Sequence, residues 1–321
     1  MLVSVFGFQV ALPLLVVAWL TFLPARSVVG LAVQIFAAAV FLLALDLTAM
    51  WAILVWWLPY VYAVIFVSAV ALSLFRKNVT ARPKWRSDAR DWIGLGVSVI
   101  FLVAGCWYLV LALAARVPPP FATFIDVANP FGAGHYIVVQ GGSRRLLNEH
   151  LRTLDTGVER YAAWRGQSYA IDLVGIGDWG LRARGLQPPD PAAYAIFGAR
   201  LHAPCTGVVL QARDGHPDFQ LPDNDLVNRL GNHLILRCSA ADIVLAHMRA
   251  GSILVETGDA VQVGQQIGQV GNSGASGEPH LHIHAQKPAA PGAAPISGEP
   301  LSLLIGGRYL VRGDRLEGVK W

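Results

Sequence analysis

Four apolar runs, at residues 1–23, 28–45, 51–74 and 92–114, fill the first third of this 321-residue chain. Each is near the roughly 20 residues that a helix needs to cross a hydrocarbon core. A chain that is 54% hydrophobic and only 14% charged is also too apolar for one water-soluble globule. The runs predict four transmembrane helices within residues 1–116, with "LDLT" at 45–48 as the turn between the second and third. A cleaved signal peptide fits the first run poorly, because it lacks a positively charged start and a second long apolar run follows at once.

Charge sets the expected orientation. The loop "RKNVTARPKWRSDAR" carries Arg76, Lys77, Arg82, Lys84, Arg86 and Arg90, and Arg26 lies in the first loop. The positive-inside rule places both loops in the cytoplasm, so everything after Arg116 faces the periplasmic or extracellular side. Residues 1–116 hold eight Lys and Arg against three acids, and residues 117–321 hold seventeen against eighteen. The basic excess is therefore a topology signal rather than a sign of nucleic-acid binding. A lipid bilayer is an expected partner and nucleic acid is not. Cys106 falls in an apolar run; Cys205 and Cys238 could pair in an oxidising compartment but are read as two small, unpaired buried residues.

Beyond the helices, "VPPPFATFIDVANPFGAG" at 117–134 reads as a linker. Residues 135–287 carry short β-type runs such as "HYIVVQ", "NHLILRC", "DIVLAHM" and "HLHIHAQ", separated by Gly, Asp, Asn and Pro. That pattern predicts an all-β sandwich or barrel-like domain. Residues 288–321 form a Pro/Gly-rich connection and a tail. The expected fold is thus a multi-pass α-helical membrane anchor followed by an all-β domain.

Within the β half, "GEPHLHIHAQ" (277–286) sets His280, His282 and His284 at alternate positions. On a strand they share one face, about 6.6 Å apart per step, which is either a metal-site geometry or a coincidence. Asp172, alone between Ile171 and Leu173, is expensive to bury unless a partner such as a metal compensates it. The turn "GDAVQVGQQIGQVG" (258–271) is shared with biotinyl and lipoyl carriers, but no lysine occurs between Lys84 and Lys287 to hold such a group. No H-E-x-x-H helix, phosphate-binding loop or G-x-S-x-G elbow is present.

The stretch "VLAHMRAGSILVETGDAVQVGQQIGQVGNSGASGEPHLHIHAQ" resembles the C-terminal half of the lysostaphin and LytM-type zinc endopeptidases, with "GNSG" and the P-H-L-H strand as its most specific elements. The likeness spans about residues 167–286. It implies a β fold of the duplicated hybrid motif type, one Zn2+ per chain, and hydrolysis of peptide bonds in peptidoglycan crosslinks by zinc-activated water. By resemblance, His282 and Asp172 are metal ligands, while His280 and His247 are catalytic histidines that handle the water's proton and the oxyanion. His284 stands where the family has another polar residue and is given a supporting or surface role.

One departure matters. The family places a histidine four residues before the aspartate, and this chain has Ser168 there. The chosen third ligand is His150 in "NEH", because a branch resembling this family has an N-x-H element ahead of "Q-x-YA-x-D", matched here by Asn148, His150, Gln167 and Asp172. His135 and His202 remain alternatives; His216 and His233 read as loop and strand-surface residues. Without a third ligand the domain would be a catalytically silent binder of cell-wall peptides or a regulator of another hydrolase.

Overall fold

The computed structural model describes residues 2–25, 27–75, 89–120 and 122–321. Arg26, Arg76, Lys77, Arg82, Lys84 and Arg86, which set the expected orientation, lie outside the described residues, as does the side chain of Arg90. The chain divides into a helical unit, Met1–Trp51 with Trp56–Ala114, and a β unit that includes Ala115–Trp321.

The helical unit contains α1 (Val3–Phe22), α2 (Val28–Thr48), α3 (Leu58–Phe75) and α4 (Ala89–Arg116), all long and apolar enough to cross a membrane. Pro13 has no N–H for the Gln9 carbonyl four residues earlier, and α1 opens into a π-turn over Gly7–Ala11. The Tyr62 hydroxyl of α3 donates to Gln9 O at 2.7 Å, replacing the missing partner. The turn expected at 45–48 is helical instead. No Gly or Pro interrupts it, Thr48 Oγ1 donates to Ala44 O, and the chain leaves the helix only at Ala49.

The β unit runs β1 (Phe124–Val127), β2 (His135–Gln140), β3 (Ile171–Ile176), β4 (Arg200–His202), β5 (Gly207–Arg213), β6 (Asn232–Cys238), β7 (Ala241–Met248), β8 (Ala260–Val261), β9 (Gln266–Gln269), β10 (Leu281–Gln286), β11 (Pro300–Ile305), β12 (Arg308–Tyr309) and β13 (Arg315–Glu317). Eleven strands form one sheet whose main path is β13-β2-β3-β10-β7-β6-β5-β8; β4 and β9 pair separately. Its pairings are antiparallel apart from β1 with β11. Two stretches that carry no strand signal contribute here: β1 lies within 117–134, and β11 to β13 lie in the tail.

The period of two on β10 separates core from site. Leu281, Ile283 and Ala285 join Leu173, Leu236, Ile243 and Leu245 in the main hydrophobic core. His282, His284 and Gln286 turn to the opposite face, and His280 precedes them just outside the strand. The register sets Asp172 of β3 and Ala246 of β7 on either side of His282.

Cys205 and Cys238 are disulfide-bonded, which corrects the expectation of unpaired thiols. Antiparallel β5 and β6 bring the two positions side by side, and Gly207 permits the approach, since a Cβ there would meet the Arg237 carbonyl. The Cα atoms lie 5.9 Å apart across a sequence separation of 33. Loop-closure entropy predicts a loss of about 3–4 kcal/mol when both cysteines are replaced by alanine. Denaturant unfolding of the two forms measures it, and equal midpoints would contradict the pairing.

Candidate metal centre

Three donors converge on one face of the sheet. His150, Asp172 and His282 each offer a ligand atom, all within 4.8 Å of one another. His150 Nε2–H donates to Asp172 Oδ2 at 2.9 Å, and His282 Nδ1–H donates to Asp172 Oδ1 at 3.0 Å. His280 Nε2 stands 3.9 Å from Asp172 Oδ1. Two imidazoles and a carboxylate are the donor types of a three-ligand zinc site with one open position, and the carboxylate, placed between both histidines, fits such an ion.

His150 comes from a short 3-10 turn, Glu149–Leu154, which enters the site from outside the sheet. Asn148 caps that turn by accepting from His150 N, while its Nδ2 donates to Ala170 O two residues before Asp172. Thr153 Oγ1 donates to His150 O at 2.8 Å, and Ser168 Oγ lies 2.8 Å from that hydroxyl. Ser168 therefore braces the turn that carries His150.

His247 reaches the same face by a different device. Along β7, residues 243 and 245 point to the core, and a regular strand would send 247 there too. Between Asn232↔Met248 and Leu234↔Leu245, however, β7 has one more residue than β6. His247 is at that bulge, with φ +60, and Met248 returns to the core. Ser273 of the "GNSG" turn fills the opening: its Oγ accepts from Asn232 N and donates to Met248 O, and its carbonyl accepts from His247 Nδ1–H at 2.8 Å. Gly274, at φ +74, closes this turn against the backbone of Gly231.

The ring centroids of His247 and His280 are 4.7 Å apart, and those of His247 and His282 are 5.8 Å apart. His280 Nδ1–H donates to Glu278 O at 2.8 Å. Both histidines thus commit Nδ1 to a carbonyl; His280 Nε2 faces the Asp172 carboxylate, and among the described residues His247 Nε2 has no hydrogen-bond partner. His284 is fully buried rather than on the surface, with Nδ1 3.0 Å from His282 Nε2, so it fixes the ring of its neighbour.

Burial pushes the Asp172 carboxyl upward, but the charges of His150 and His280 and the hydrogen bonds from His150 and His282 outweigh it and hold the group well below the usual carboxylate range. Burial, reinforced by neighbouring histidines, holds His247 and His284 well below the ordinary histidine range. It also lowers His282, against the opposing pull of Asp172.

The other histidines lie elsewhere. His135 pairs with Glu317, and the His202 ring lies 6.0 Å from that of Trp321, tilted against it. His216 and His233 line a cavity on the site face of the sheet. The bulge at His247 has no local signature in the sequence, because the Ser273 and Gly274 that support it lie more than twenty residues further along the chain.

The left-handed backbone at His247 predicts an inverted order of stability. His247→Gly should be more stable than His247→Ala by about 1–2 kcal/mol, the cost of a Cβ in that conformation. In a regular strand alanine would be the better of the two. Chemical denaturation of both variants decides, and alanine as the more stable would show that no such bulge exists.

Residues 192–294 match the model of Peptidase family M23. No curated protein matches the chain. Among solved structures, the chain is similar to lysostaphin in its NMR solution structure at 19% identity, with 38% of each chain covered and a TM-score of 0.25. It is also similar to the catalytic domain of a point mutant of the prophage-encoded M23 protein EnpA from Enterococcus faecalis, at 20% identity, 57% of this chain, 92% of that one and a TM-score of 0.26. A third is a chain of the SpoIIIAH and SpoIIQ complex, at 20% identity, 50% of this chain, 92% of that one and a TM-score of 0.29. The chain spans 38% of the length of that lysostaphin structure. The family match includes His247, His280 and His282 and begins after His150 and Asp172. Through residues 192–294, the chain carries a Peptidase family M23 domain.

Proposed function

We propose that this protein is a membrane-anchored zinc metalloendopeptidase that hydrolyses peptide bonds, with peptidoglycan crosslinks as substrate. The observation that carries the reading is the convergence of the His150, Asp172 and His282 donor atoms beside two further histidines whose Nδ1 atoms are held by carbonyls. His150, Asp172 and His282 would hold one Zn2+, which when bound polarises a carbonyl and lowers the pKa of water. The four apolar helices anchor the chain in the cytoplasmic membrane, with the M23 domain on its outer side.

The chain's own residues supply the proton handling. His247, kept neutral by burial, presents Nε2 to accept the proton of the attacking water. His280, with Nδ1–H committed to Glu278 O, can stabilise the developing oxyanion only as the imidazolium, which would donate from Nε2–H. In the metal-free chain Asp172 holds His150 and His282 in place through its two oxygens, and a bound zinc would take the place of those two hydrogens. Ser168, which in the silent reading marks a lost ligand, is accounted for as a brace of the turn carrying His150.

Elemental analysis of the purified full chain should find one zinc, lost in His150→Ala and in His282→Ala. His247→Ala and His280→Ala should keep the metal while hydrolysis of purified peptidoglycan falls about 10²- to 10⁴-fold. Zinc retained in His150→Ala would sink this ligand set; full zinc with no hydrolysis by wild type would favour the silent binder.

Acid should destabilise the metal-free chain. His247, His282 and His284 are held below the ordinary value of 6.5, so the unfolded state binds more protons as pH falls. Stability present above about pH 6.5 is lost below it, at up to about 1.4 kcal/mol per pH unit for each group. Thermal unfolding measured from about pH 7.5 to about pH 5.5 tests this. A constant midpoint would argue against neutral buried imidazoles.

A further inference from the structure

We propose that the site face of the sheet continues into a carboxylate-binding subsite formed by Arg213 and Arg229. The peptide bound for cleavage would then carry a carboxylate about four residues from the scissile bond. This deepens the peptidase reading and rests on it for the position of that bond.

Strand register supplies the first argument. Asp172 pairs with His282, and His282 with Ala246. His233 on β6 lies opposite the bulge that follows Ala246, and Arg213 on β5 pairs with His233. Positions 172, 282, 246, 233 and 213 thus form one row across five adjacent strands, on the face that carries the histidines. Arg213 is three strand spacings from His282, or about 14 Å. An extended peptide covers that distance in about four residues.

The row leads into a built cavity. A cavity of about 490 Å³ is lined by Arg213, Arg229, Trp164, His216, His233 and Ile296 among others, and among the described residues no acidic side chain lines it. The Arg229 guanidinium lies over the Trp164 ring at 4.5 Å, which fixes its plane. Burial, with the nearby charges of Arg152 and Arg160, lowers its pKa.

Nearby carboxylates are already engaged. Asp225 accepts from Val227 N, Asn228 N and Asn228 Nδ2. Glu149 is shared between Arg145 and Arg152. Among the described residues, neither Arg213 nor Arg229 has a carboxylate at ion-pair distance. Cations gathered in an acid-free cavity call for an anionic ligand, and planar guanidinium groups match a carboxylate. The alignment with the histidine row favours a peptide carboxylate over a free anion.

Binding to the metal-free full chain in detergent tests this without requiring catalysis or a metal that could itself capture the carboxylate. The probes are acetyl-tetra-alanine as the free acid and as its C-terminal amide, compared by calorimetry. Wild type should bind the acid about tenfold more tightly than the amide. That preference should vanish in Arg213→Gln/Arg229→Gln, and Arg213→Gln alone, at an exposed position, should reduce it without shifting thermal unfolding. Equal affinities for acid and amide, or no binding of either at millimolar peptide, would overturn the proposal. Inorganic phosphate binding as tightly as the free acid would mark a general anion patch and overturn it as well. A chain that keeps the preference but lacks zinc and hydrolysis would fail the peptidase reading alone; an active chain without the preference would fail the subsite alone.

Discussion

A carboxylate buried in the middle of a sheet must be compensated, and the surroundings of Asp172 are organised by that requirement. Left unpaired it would cost several kcal/mol, and removing one member of such a buried pair typically costs about 3–5 kcal/mol. His150 and His282 each take one of its oxygens, and His280 stands near the second. Because His282 is directly across the ladder from Asp172, the pairing of β3 with β10 and the electrostatics of the site are one constraint. A slip of one residue would expose the histidines to the core and the leucines to the site.

Two local irregularities complete the arrangement. A 3-10 turn brings His150 over the sheet, held by Asn148, Thr153 and Ser168. A bulge in β7 turns His247 away from the core, and Ser273 satisfies the ladder groups that the bulge leaves open. Both place a side chain where regular strand geometry would not. Bulges beside functional sites commonly serve to re-aim a residue, at the cost of local backbone strain. His284 adds a buried contact that restricts the His282 ring.

The site was legible in the sequence to the extent that it depends on period and local chemistry. Alternation along "HLHIH" set the shared face, and the isolated Asp172 announced a buried charge needing a partner. The N-x-H element points to His150, which lies against Asp172. The expected turn at 45–48 failed because helix ends depend on where a breaker occurs, and none occurs there. The expectation of free thiols at Cys205 and Cys238 failed because pairing depends on the β5–β6 register. β1 carries no local strand signal because its partner β11 is far along the chain, with Phe124 opposite Ser302.

Near neighbours along the chain account for one part of this outcome. The apolar runs have the length to cross a bilayer, the β half has its alternating faces, and three histidines share one of them. Tertiary structure alone decided which distant residues complete the cluster, that Ser168 braces a turn, that His247 leaves the core at a bulge, and that Arg213 lies in line with His282. These outcomes depend on strand register and on contacts between residues tens to hundreds of positions apart, and no local propensity encodes such pairings.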